Sequence, residues 1–144
     1  MIDTPSHSRS RQYVLDANAL ISLLEDRPAA PKVRRLIERG AQLALPLLLS
    51  AVNWGEVFYV AWRLHGEEQA RATESKLRRL PILVVAADRE RATRAAALKQ
   101  KHNLTYADSF AAELAIEHSA WLATADPEFS RLGKLVSLYP LPRA

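Results

Sequence analysis

The feature that most limits what this chain can fold into is an alternation. Short apolar runs rich in leucine, valine or isoleucine stand at 13–15, 43–45, 80–85, 121–124 and 136–138. Between them lie longer segments whose apolar residues recur at helical spacing. Strand–helix–strand repetition predicts an α/β fold with a mainly parallel sheet of four to five strands, covered by helices on both faces. No internal repeat, low-complexity stretch or linker divides the 144 residues, a length that suits one domain with its own core. The expected layout is a flexible polar tail over residues 1–11, which carries Pro5, and a single domain over 12–144.

The helical segments carry their own punctuation. After Asp16, the run ANALISLL places Leu20, Leu23 and Leu24 on one side, with Asn18 as the expected cap and Pro28 and Pro31 as stops. Residues 32–39 repeat the pattern through Val33, Leu36 and Ile37, and Gly40 is the expected C-terminal stop. From Ser50 the run AVNWGEVFYVAWRLH reads as a capped helix ending at Gly66, and 66–79 continues as a charged amphipathic helix to form a hairpin. The LVV within 80–85 suits a buried parallel strand. Residues 88–102 form a helix spaced by Ala92, Ala96 and Leu98. Residues 105–118 form another, capped by Thr105, with Ala107, Phe110, Ala111, Leu114 and Ala115 inward.

Composition excludes several function classes. The absence of cysteine removes disulfides, thiol nucleophiles and thiolate-bound zinc, and accords with a reducing, cytoplasmic setting. The N-terminal MIDTPSHSRSRQ lacks the apolar core of a secretion signal. Residues 43–52, interrupted by Pro46 and Ser50, are too few to cross a bilayer, so no membrane association is expected. Neither a phosphate-cradling P-loop nor a GxGxxG stretch occurs. The net charge is +4, yet removing four acids to a shared pocket leaves 12 acids against 20 basic side chains, a balance suited to a polyanion.

Four acids meet that description. In a parallel sheet, ligands collect beyond the carboxyl ends of the strands. Asp16 ends the first strand, Asp126 follows the fourth by two residues, Glu56 lies in the second turn of the helix leaving the second strand, and Asp108 lies in the first turn of the helix entering the fourth. Three of them have ordinary alternatives. Asp16 also suits a turn or cap, Asp126 before Pro127 suits a helix cap, and Asp108 three residues after Thr105 suits a capping box. Glu56 sits among Val52, Trp54, Val57, Phe58, Val60, Ala61 and Trp62, where an unpaired carboxylate is costly. Either Arg63 or a shared cation would supply the partner. Four carboxylates gathered without histidine or cysteine match an all-oxygen site for Mg²⁺ or Mn²⁺, which could activate a water against a phosphodiester. Asn18 and Thr124 are placed to support the ligands.

The segments VLDANALISLL, NWGE, YADSFAAELA and WLATADPEF, with acid spacings of 40, 52 and 18 residues, together resemble the PIN-domain nucleases. In length and order they resemble the VapC toxins of bacterial type II toxin–antitoxin systems. The resemblance spans 13–138. It implies an α/β/α sandwich, Mg²⁺- or Mn²⁺-dependent cleavage of RNA, an inhibiting antitoxin protein and a homodimer. It also assigns Asp16, Glu56, Asp108 and Asp126 to the family's acidic positions, with Asn18 and Thr124 at its small polar positions. The long tail before Tyr13 is a departure. Surplus large apolar residues at 20–24 and 57–62, with Trp54 and Trp62, suit a protein interface or the core. Arg27, Lys32, Arg34, Arg35, Arg39, Arg89, Arg91, Arg94, Lys99 and Lys101 are the cations available to RNA. The competing readings are weaker. A haloacid-dehalogenase phosphatase would need an acid at Asn18, and a phosphate-accepting receiver would leave Glu56 unexplained. A catalytically silent module of the same fold, binding RNA or protein, differs only in activity.

Overall fold

The computed structural model describes residues 11–143. Five strands form one sheet in the order β3-β2-β1-β4-β5: β1 (Tyr13–Leu15), β2 (Leu47–Ser50), β3 (Ile82–Val85), β4 (Trp121–Thr124) and β5 (Ser137–Pro140), each pair parallel. Six α-helices connect them: α1 (Ala17–Leu24), α2 (Ala30–Gln42), α3 (Ala51–His65), α4 (Glu67–Leu77), α5 (Arg89–His102) and α6 (Tyr106–His118). A 3₁₀ segment over Pro127–Leu135 leads into β5. The expected tail lies outside the described residues except for Arg11, whose guanidinium stands over the Trp121 ring at 5.2 Å.

The alternation of the strands divides the core in two. Leu15, Leu47, Leu49 and Ala123 point to one face, where α1, α2 and Val57 of α3 cover them. Val14, Leu48 and Leu122 point to the other, under Ala111, Leu114 and Ala115 of α6 and Phe129. The result is the three-layer sandwich. α6 is buried on nearly every side, from Ser109 through Ala115. The chain runs outward from β1 through β2 to β3, then returns to place β4 on β1's other side. That reversal between β1 and β4 is the kind of switch point at whose carboxyl ends ligands collect in parallel sheets. Among the described residues no helix is long and apolar enough to cross a membrane.

Several boundaries differ from the sequence reading. The second strand is Leu47–Ser50 rather than 43–45, because α2 runs on to Gln42 and the chain reverses at Ala44, whose φ is +52°. Gly40 is therefore not a stop. It lies within α2, where an added Cβ would stand 2.9 Å from the Leu45 carbonyl oxygen, and its own carbonyl accepts from the Leu45 N–H. Pro31 starts α2 rather than ending α1, since a proline in the first helical turn sacrifices no hydrogen bond. The cap of α1 is Asp16, not Asn18, which is exposed within the first turn. β3 is parallel as expected but forms the sheet's edge, with Leu83 52% and Val84 38% exposed. In α5 the buried residue is Ala95, while Ala96 is exposed.

Candidate active site

Asp16 leaves β1 with only 2% of its surface exposed, and both its oxygens are held. Oδ1 accepts from the Ala19 N–H at 2.8 Å, closing the first turn of α1, and Oδ2 accepts from the Thr124 hydroxyl at 2.6 Å. Thr124 Oγ1 in turn accepts from the Asp126 N–H at 2.9 Å. One hydroxyl thus joins the ends of β1 and β4. Asp126 caps the 3₁₀ segment, its Oδ1 accepting from the Glu128 N–H at 2.9 Å, with Pro127 next in line. Both aspartates are therefore helix caps, the ordinary alternative the sequence offered for each. A cap fixes one lone pair of a carboxylate and leaves the others available.

The other two acids arrive on helices. Asp108 stands in the first turn of α6, where its N–H donates to Thr105 Oγ1 at 3.1 Å. Glu56 is half-buried on α3, and Asn53 Nδ2 donates to its Oε1 at 2.9 Å. The same Nδ2 donates to the Ala107 carbonyl at 3.2 Å, which ties α3 to the start of α6. Arg63, the partner considered for Glu56, is exposed further along α3 and makes no ion pair with it. Asn53 is a site neighbour that sequence reading missed, since a polar residue early in a helix looks like part of a cap.

The acids sense one another. Burial pushes the Asp16 carboxyl up to about 7; bonds from Thr124 and Ala19 oppose this, and the charges of Asp108 and Asp126 add to it. Burial likewise raises Asp108 to about 6, with Thr105 opposing and Asp126, Glu56 and Glu128 contributing repulsion. The leading influences on either carboxyl include no lysine or arginine. Glu128, an exposed residue that also pairs with Arg131 at 3.4 Å, is a fifth acid that sequence reading did not single out. Among the described residues no three His, Cys, Asp or Glu side chains already form a cage for a metal ion. The donor type suits a hard divalent cation: all four side chains offer carboxylate oxygens, and the acids acting on Asp16 and Asp108 repel them.

Some cations proposed for RNA are engaged elsewhere. Arg91 Nη1 pairs with Glu113 and Glu117, and Arg94 Nε donates to Glu113 Oε2 at 2.9 Å. Lys32 and Arg39 stand over the rings of Tyr139 and Tyr13. Lys99 donates to the Leu104 carbonyl. A cavity of about 400 Å³ between α5 and α6, lined by Arg94, Leu98, Lys101 and Ile116, is walled by none of the four acids.

A family model for the PIN domain matches residues 13–135. The chain belongs to the PIN domain family. Its PIN fold is similar to a chain of a toxin–antitoxin complex from Klebsiella pneumoniae at 24% identity and a TM-score of 0.63, covering 90% of this chain and all of that one. It is also similar to a chain of VapBC2 from Rickettsia felis bound to a promoter DNA fragment. There the identity is 15% and the TM-score 0.71, with 90% and 98% of the two chains covered. VapBC-1 from nontypeable Haemophilus influenzae gives 23% and 0.65, covering 89% and 96%. At these identities the likeness is one of fold. No curated protein matches the chain.

Proposed function

We propose that this PIN domain is a metal-dependent endoribonuclease acting as the toxin of a toxin–antitoxin pair, with Asp16, Glu56, Asp108 and Asp126 as its metal-binding acids and Asn18 and Thr124 in support. The observation that carries the reading is electrostatic. At the sheet's carboxyl rim, burial first and neighbouring acids second raise two carboxyls: Asp108 and Asp126 act on Asp16, and Asp126, Glu56 and Glu128 act on Asp108, with no lysine or arginine among the leading causes. A divalent ion bound among these carboxylates would offset both the burial and the repulsion.

Bound Mg²⁺ or Mn²⁺ would supply a more acidic water and positive charge against the phosphoryl oxygens. The chain's own residues supply the geometry. Asp16 would hold the ion with a carboxylate already oriented by Ala19 and Thr124, and Thr124 couples that orientation to Asp126. Asp108 and Glu56 would complete the set from the opposite wall. Asp126 and Asp108, each half-buried, lie where a substrate phosphate can approach from solvent.

An antitoxin partner is supported by the complexes in which the similar folds occur. It is supported too by a groove of about 630 Å³ along α1, α3 and α4, lined by Leu24, Glu25, Ala61, His65 and Gln69. We further propose a cytoplasmic homodimer. The test is incubation of purified protein with RNA and Mg²⁺ or Mn²⁺ beside Asp16→Asn and Asp108→Asn variants. Cleavage by the parent alone is the expected result. Equal activity in both variants overturns the assignment, and no activity in any of the three supports the silent RNA- or protein-binding module instead.

A further inference from the structure

The first turn of α3 holds a polar side chain with no exposed surface, Asn53. Both of its donated bonds go to the acidic site, one to the Glu56 carboxylate and one to the carbonyl of Ala107, the residue before Asp108. Its Oδ1 is also buried and accepts no hydrogen bond among the described residues. An apolar side chain would leave no such oxygen unpaired, so burial alone does not account for an amide at this place.

The acceptors show what the amide does. Glu56 lies three residues on, on the same side of α3, and Asp108 feels its charge across the gap to α6. We propose that Asn53 is a positioning residue of the acidic site, holding the Glu56 carboxylate turned toward Asp108 and setting the spacing between α3 and α6. The inference rests on the nuclease reading and names a residue which that reading does not use. The residue type follows from the task. A lysine or arginine there would orient Glu56 but also neutralise it and compete with a cation. An aspartate would set a third acceptor against a carboxylate and a carbonyl, and a serine hydroxyl has one proton for two acceptors. Only a neutral group with two donors serves both bonds and leaves the charge of Glu56 intact.

The test is Mn²⁺ affinity of the full chain, measured by calorimetry for the parent, Asn53→Ala, Asn53→Leu, Glu56→Ala and the Asn53→Ala/Glu56→Ala double variant. Loss of a residue that orients a ligand commonly weakens metal binding by about 10-fold to 100-fold, so both single variants at Asn53 should lose about 10-fold. Thermal melts of the same variants establish that each is folded at the titration temperature, so that a weaker affinity is not a lost fold. In the absence of Glu56, Asn53 has nothing to orient, so the double variant should bind Mn²⁺ no more weakly than Glu56→Ala alone. Multiplied losses in the double variant would mean a merely structural role and overturn the proposal. Unchanged binding in both Asn53 variants, with loss in Glu56→Ala, overturns it while leaving the nuclease reading in place. Unchanged binding in Glu56→Ala removes that reading's assignment of Glu56, and this proposal with it.

Discussion

Replacing Asp16 by asparagine should stabilise the metal-free protein, and only at the alkaline end of the pH range. The carboxyl is 2% exposed and titrates at about 7 in the folded chain, against 3.8 when free, chiefly because burial disfavours its charge. Between those values the folded state binds the proton more tightly than the unfolded state. Stability is therefore greatest below about pH 4 and is lost as pH rises through about 7. The full difference corresponds to roughly 4 kcal/mol. Asparagine keeps the acceptor for the Ala19 N–H. It does not accept the Thr124 hydroxyl proton as Oδ2 does, which returns about 1–2 kcal/mol. The net gain is about 2–3 kcal/mol at pH 8, or a melting temperature higher by very roughly 6–9 °C, and within about 1 kcal/mol of zero at pH 5. Urea denaturation of parent and variant in chelator at pH 5, 6, 7 and 8 measures the difference directly. A variant less stable than the parent by the same amount at every pH would refute the claim that burial of charge dominates at Asp16.

Mn²⁺ affinity of the parent should rise with pH through the interval from about 6 to about 7, since protons must leave Asp108 and Asp16 before both can act as ligands; calorimetry in two buffers of different ionisation heat would read the released protons. Gly40→Ala, which in an ordinary helix gains up to about 1 kcal/mol, should instead cost about 1–3 kcal/mol in urea denaturation, because the new Cβ meets a backbone oxygen at 2.9 Å. Glu113→Ala should lower stability by about 1–3 kcal/mol, as it removes a carboxylate 3% exposed that joins α6 to Arg91 and Arg94 of α5. Unchanged denaturation midpoints would contradict the last two.

The sheet was legible because its strands are short apolar runs between helices with recognisable ends, and burial on both faces leaves such runs few alternatives. The second strand was not placed correctly because AQLALPLLLS offers leucines on both sides of Pro46. Hydrophobicity does not rank them; the helix end does, with the Leu45 N–H bonded back to the Gly40 carbonyl through Ala44 at positive φ, a left-handed turn at a residue other than glycine that sequence does not announce. β3 looked buried because strand order, not composition, decides which strand is the edge. The places of Asp16 and Asp126 near strand ends were legible, because each follows a short apolar run. The bridge through Thr124 joins residues 108 positions apart, which no local pattern specifies. Asn53 and Glu128 went unnoticed for the same reason, as their neighbours Ala107 and Asp108 come from other segments.

The central claim concerns a cation held among acids from distant parts of the chain, and anomalous diffraction from crystals grown with Mn²⁺ tests it without recourse to activity. The account predicts a peak within coordination distance of Asp16 and Asp108 in the parent, absent from Asp108→Asn. A well-ordered site with no peak there, or the same peak undiminished in the variant, would contradict it.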